Sequence, residues 1–173
     1  GDSDISTWKA EYTMDSGDSS GKINFTVNYE DKVGNNGSEV TQTTDDSEVI
    51  FDENKPGEYY INFEQENINL SNQEIVSFTF SNAEIGTTYN YTIDDKDETT
   101  SALTGSGEIT VADETINSID VSSLNDGELT LVATLTDKAG NEGKEVKTTI
   151  EKDTKKPTIN SFRPENNSNK ANR

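Results

Sequence analysis

The chain contains no cysteine and no histidine. The first absence rules out disulfides and thiol nucleophiles. The second removes imidazole proton shuttles, and together they remove the usual zinc ligand sets. A secreted eukaryotic domain of this size often carries a disulfide, whereas many bacterial surface proteins do without. Positive charge is also scarce: 14 Lys and Arg stand against 34 Asp and Glu, for a formal net charge of −20 over 173 residues. A surface of that sign repels phosphate backbones and anionic bilayers, so no nucleic-acid partner is expected. It favours solubility and a loose attraction of cations, but names no partner by itself. No apolar run approaches the length of a membrane-spanning helix, and no charged-then-apolar signal segment opens the chain, so membrane insertion is not expected.

Hydrophobic residues make up only 28% of the chain, a composition that leans toward disorder. Their arrangement argues the other way. "TWKAEYTM" places Trp8, Ala10, Tyr12 and Met14 on one face, "KINFTVNY" does so with Ile23, Phe25, Val27 and Tyr29, and "SEVIF" adds Val49 and Phe51. Pro56 and Gly57 then mark a boundary, after which the alternation restarts. "YYINFEQ", "EIVSFTF", "TTYNYTI", "GEITV", "TINSIDV", "ELTLVATL" and "EVKTTI" predict about seven strands between Tyr59 and Lys152. Period-two alternation gives each strand one buried face, so two sheets packed face to face are the natural solution. No stretch has helical periodicity. The expected fold class is all-β, a Greek-key β-sandwich.

"DKVGNNGSEV" begins at Asp31 and "DKAGNEGKEV" begins at Asp137, 106 positions later, with seven of the ten residues identical. Around this stretch Gly21 aligns with Gly127, Phe25 with Leu131, Tyr29 with Leu135, and "DENKP" at Asp52 with "DTKKP" at Asp153. A spacing of about one small β domain predicts a tandem repeat. Residues 1–56 would be the back half of a module with about three strands, 57–156 a complete module, and 157–173 the start of another or a flexible tail. The half module leaves an apolar face without its partner sheet, and small isolated sheets are marginal, so it is expected to be the less stable part. In the shared turn, Asp137 is expected to accept backbone N–H groups as an Asx-turn does, Gly140 and Gly143 to supply positive φ, and Asn141 to tolerate the left-handed region.

"SNQEIVSFTFSNAEIGTTYNYTI", "SSLNDGELTLVATLTDKAGNEG" and "KDTKKPTI" resemble the immunoglobulin-like modules strung along large bacterial surface proteins and adhesins. The shared pattern is L-x-DG-x-L-x-L-x-A-x-x-TD-x-AGN-x-G followed by D-T-x-x-P. Residues 57–156 cover it in full and 7–56 cover its second half, with Val33 in place of the usual Ala and "DENKP" departing from D-T-x-x-P. The resemblance implies an extracellular, cell-surface spacer that is not an enzyme, with neighbouring modules of the same chain as partners. A loop-mediated glycan- or protein-binding module is the alternative, favoured by an exposed Tyr or Trp. Tyr59, Tyr89, Tyr91 and Trp8 fall in register with the core instead.

Some related modules bind calcium at their junctions. Carboxylates from separate loops suit a hard cation taking six to eight oxygens. Asp52, Asp137 and either Asp15 or Asp18 are the candidate calcium ligands at one junction, and Asp126 and Asp153 at the next. Turn-forming or solvated acids are the competing reading of all of them. Asp94, Asp95, Asp97 and Glu98 read as a solvated hairpin tip. No pair of carboxylates stands out for glycosidase chemistry, and no Lys and Asn stand out as a crosslinking pair.

Overall fold

The computed structural model describes residues 9–15 and 17–161. It is all-β, with ten strands and no helix among the described residues. Two are short pieces near the amino-terminal side, β1 (Gly21–Lys22) and β2 (Ile50–Phe51), paired antiparallel. The others are β3 (Tyr60–Phe63), β4 (Ile68–Asn69), β5 (Val76–Ser81), β6 (Thr88–Asp94), β7 (Leu103–Glu108), β8 (Glu114–Ile119), β9 (Gly127–Thr136) and β10 (Val146–Asp153). They form a five-stranded sheet in the order β4-β10-β9-β6-β7 and a three-stranded sheet in the order β3-β5-β8. Pairing is antiparallel throughout, except that β4 runs parallel to the end of β10, with Ile68 opposite Lys152 and Asn69 opposite Asp153.

The core lies where the inward faces of these two sheets meet. Strand β9 buries Leu129, Leu131, Ala133 and Leu135 and turns the residues between them outward, as its alternation predicts. From the other sheet, β5 contributes Val76, Phe78 and Phe80, none of them exposed. Phe78 meets Tyr91 edge-on with ring centroids 5.1 Å apart, and Phe80 lies 5.4 Å from Tyr89, so aromatic contacts join the sheets. Outside the strands, Ile109, Val121 and Leu124 close the ends of the core.

Tyr89 and Tyr91 are also matched across the ladder, where they face Gly107 and Gly105 of β7. Their rings lie over the space that a side chain would fill; a Cβ at Gly107 would come within 2.6 Å of the Tyr89 hydroxyl. These glycines keep the edge strand close enough for the rings to reach Phe78 and Phe80. Gly105→Val should swing Tyr91 off Phe78 and lower stability by about 1–3 kcal/mol in urea unfolding. A neutral outcome would mean that the ring contributes nothing to the core.

Three features depart from the alternation. The short strand β4 adds an eighth strand between Tyr59 and Lys152, and β7 starts at Leu103, ahead of the expected "GEITV". Residues 9–51 form far less sheet than expected. "KAEYTM" forms no strand and Tyr12 is 73% exposed, while Trp8 lies outside the described residues. "KINFTVNY" yields only β1 and isolated bridges, Val27 to Val40 and Glu30 to Asn36. Phe25, Val27 and Tyr29 are 41%, 49% and 55% exposed, whereas their counterparts Leu131, Ala133 and Leu135 are at most 1% exposed. The physical reason is the missing second sheet. Alternation needs an opposing apolar face before it becomes burial, and the described residues supply none for 23–29.

Candidate functional site at the linker joint

The repeated decapeptide forms the same turn twice. In the second copy the Asp137 Oδ1 accepts the backbone N–H groups of Ala139 and Asn141, at 2.8 and 2.9 Å. Its Oδ2 accepts the side-chain amide of Asn141 at 2.8 Å. Asp137 N donates to Asn141 O, Gly140 N to Asp137 O, and Gly143 N to Leu135 O. In the first copy Asp31 receives Val33 N, Asn35 N and the Asn35 side-chain amide, and the three backbone bonds recur at Asp31, Gly34 and Gly37. Gly34 and Gly140 hold φ of +91° and +92°.

Two expectations about this turn need correcting. Gly143 does not have positive φ. It is instead closely packed: a Cβ there would lie 3.2 Å from the Tyr59 ring and 3.3 Å from Pro56 and the Leu135 carbonyl, tight enough that these neighbours would have to give. Asn141 does not sit in the left-handed region either. Its contribution is its side chain, whose Nδ2 also donates to the main-chain carbonyls of Asp52 at 2.9 Å and Asn54 at 3.1 Å. One amide thus ties the turn between β9 and β10 to the linker that follows β2.

The linker is itself pre-shaped. Asp52 Oδ1 accepts both Asn54 N and Asn54 Nδ2, and Glu53 N donates to Ser20 Oγ. Beyond it Pro56 is buried, and the Tyr59 hydroxyl donates to Lys144 O at 2.6 Å while accepting Leu135 N at 3.0 Å. Burial pushes the Tyr59 phenol pKa up, which keeps it a donor at any ordinary pH. At the other end the pattern returns: Asp153 Oδ1 accepts Lys155 N, and Asp126 Oδ1 accepts Thr154 N and its hydroxyl.

The structure therefore brings Asp52 and Asp137 together beside the β9–β10 turn, and Asp126 and Asp153 to the segment leaving β10. Asp18 is engaged elsewhere, with Asp15 N and the Tyr12 hydroxyl, while Asp15 caps Gly17 N. Among the described residues no group of three or more carboxylates is placed to hold a metal ion. At the first joint the Asn141 N–H protons lie between the Asp137 carboxylate and the Asp52 carbonyl, where a cation would need lone pairs. At the second, Lys155 Nζ lies 3.7 Å from Asp126. Neither donor set fits calcium as it stands. The acidic hairpin tip is tied down rather than simply solvated: Asp95 accepts Asn125 N at 2.6 Å, Lys96 takes positive φ, and Lys96 Nζ pairs with Glu128.

The Asn141 amide, with the turn N–H groups, holds the Asp137 carboxyl below the ordinary aspartate value, and Asn35 does the same for Asp31. A carboxyl with a depressed folded pKa stabilises the fold above its unfolded value, and that contribution is lost as pH falls through the folded pKa. We expect a thermal midpoint that drops below about pH 4, with a shallower drop in Asp137→Asn. Identical acid limbs for the two proteins would show that the turn bonds do not carry the effect.

Tyr12, Tyr29 and Tyr60 are exposed, each on a different part of the chain. No helix among the described residues is long and apolar enough to cross a membrane.

No family model and no curated protein matches the sequence. A solved structure does. The chain is similar to a tetra-tandem repeat in the extending region of a large adhesion protein, known from a crystal structure. Identity is 17% and the TM-score 0.47, over 78% of this chain and 33% of that one. The chain thus spans about a third of the length of that neighbour.

Proposed function

We propose that this chain is a non-catalytic spacer of immunoglobulin-like Greek-key modules in tandem, part of an adhesin-like stalk of a bacterial cell-surface or secreted protein. Residues 57–156 are the complete module in this reading and 1–56 the back half of its predecessor. The observation that carries it is the Asn141 bond to the linker carbonyls of Asp52 and Asn54. It gives a turn that has the same geometry in both copies the task of fixing one unit against the next. Short linkers with few bonds leave neighbouring units free to swing, and a side-chain clasp removes that freedom.

The test uses the absence of native cysteine. Spin labels at Thr44→Cys and Glu108→Cys should report one narrow distance distribution, and Asn141→Ala should broaden it with little change in the unfolding midpoint. A broad distribution in the parent protein would remove the spacer reading. The exposed Tyr60, beside Lys144 and Glu145 in a shallow groove, motivates the glycan- or protein-binding alternative. Saturable binding on a glycan array, lost in Tyr60→Ala, would decide for it.

A further inference from the structure

We propose that Asn35 is an open half of the same clasp, a receptor for the linker of a preceding module. The two turns agree in six hydrogen bonds and in the φ of their central glycine, so the side-chain amides of Asn35 and Asn141 are presented alike. They differ in what lies beyond. Asn141 reaches three acceptors and is half-buried, whereas Asn35 reaches only Asp31 Oδ2 among the described residues and is exposed. An amide nitrogen has two protons, so Asn35 retains donor capacity aimed where Asn141 meets a linker.

The chemistry of the occupant follows from the filled site. It is an extended segment that presents two main-chain carbonyls two residues apart and is held in shape by an Asx-turn, as Asp52 does for Asn54. The segment Asp153–Pro157 has that form, with Asp153 Oδ1 accepting Lys155 N. It also brings Lys155 and Lys156, against one Asp153, to a turn whose Glu30, Asp31 and Glu39 outnumber its single Lys32, so the net charges are opposite. The inference rests on the tandem reading, but its test does not depend on Asn141.

The experiment fuses a second copy of Ile150–Thr158 to the amino terminus of the full chain through a flexible Gly-Ser tether. Such a tether holds the segment at roughly millimolar effective concentration. The reference protein carries the same residues scrambled. The expected result is a downfield shift of the Asn35 side-chain amide protons relative to the reference, with those of Asn141 unmoved. The tethered linker should also be cleaved by protease more slowly than the scrambled one, and Asn35→Ala should restore the faster rate. Equal Asn35 resonances in the two proteins would overturn the proposal. So would slow cleavage that survives Asn35→Ala, since the linker would then be held elsewhere. Neither failure touches the label distances across the Asn141 joint, so the spacer reading stands or falls separately.

Discussion

Phe78→Ala is expected to be the most damaging single change in the molecule, lowering stability by about 3–5 kcal/mol. The side chain is fully buried at the middle of the three-stranded sheet. It touches Phe80 at 5.4 Å and Tyr91 at 5.1 Å between ring centroids, both edge-on. Truncation removes its transfer energy, both aromatic contacts and the support for Tyr91, and rigid strands on two sides keep the hole from collapsing. Urea unfolding checks this, with the midpoint falling and the slope unchanged. A loss below about 1 kcal/mol would mean that the two sheets do not close on a common core.

The second large effect is expected from Lys152→Met, at about 3 kcal/mol, twice the worth of a single bond to a charged group. Lys152 lies on β10, is 2% exposed, and donates to the main-chain carbonyls of Val121 and Leu124 at 2.9 and 2.6 Å. Methionine has nearly the same length and no cost of burying an ammonium, which favours the variant. Against that, both carbonyls lose a charged donor; Val121 O keeps Leu124 N at 3.1 Å, but Leu124 O is left without a partner, and an uncompensated buried acceptor costs about 1–3 kcal/mol. The two lost charge-assisted bonds outweigh the saving, because Val121 and Leu124 are themselves core residues and their loop cannot turn its carbonyls to water without exposing them. Urea unfolding gives the size, and hydrogen exchange should show residues 121–126 opening first. A variant as stable as the parent would mean that water replaces the amine.

The parts of this fold that could be read in the sequence are those where alternation and an opposing surface coincide. In "ELTLVATL" and "EIVSFTF" the alternating positions Leu129, Leu131, Ala133 and Leu135, and Val76, Phe78 and Phe80, are all buried. In "KINFTVNY" the alternation is equally clean and buries almost nothing, because period two states which face is apolar and not whether anything covers it. Strand β4 is too short to have a period, and it exists because its two residues complete the edge of β10. Lys152 falls in register with Val146 and Ile150, but a charge there does not announce burial, and only the carbonyls it reaches explain it. At the joint, the aspartates and their Asx-turns were legible from the residues. The longer reach of Asn141 was not, since it bonds to residues almost ninety positions away. The identity of Asn35 and Asn141 in both copies was the one available signal. Gly143 was expected to supply positive φ, and what the structure shows instead is the closeness of Tyr59 and Pro56.

The parallel contact between β4 and the end of β10 has a mechanical consequence. If the chain serves as the proposed spacer, tension along it would pull the two-sheet unit at Gly57 and at Asp153, near its first strands and at its last. Because β4 and β10 run the same way, that tension slides them past each other, and the bonds around Ile68–Lys152 and Asn69–Asp153 are loaded together in shear. An antiparallel pair of terminal strands would instead be peeled open one bond at a time. The load leaves the module beside Lys152, whose amine is anchored in the loop above it, so the buried lysine acts as a rivet at the point where the chain would otherwise begin to tear.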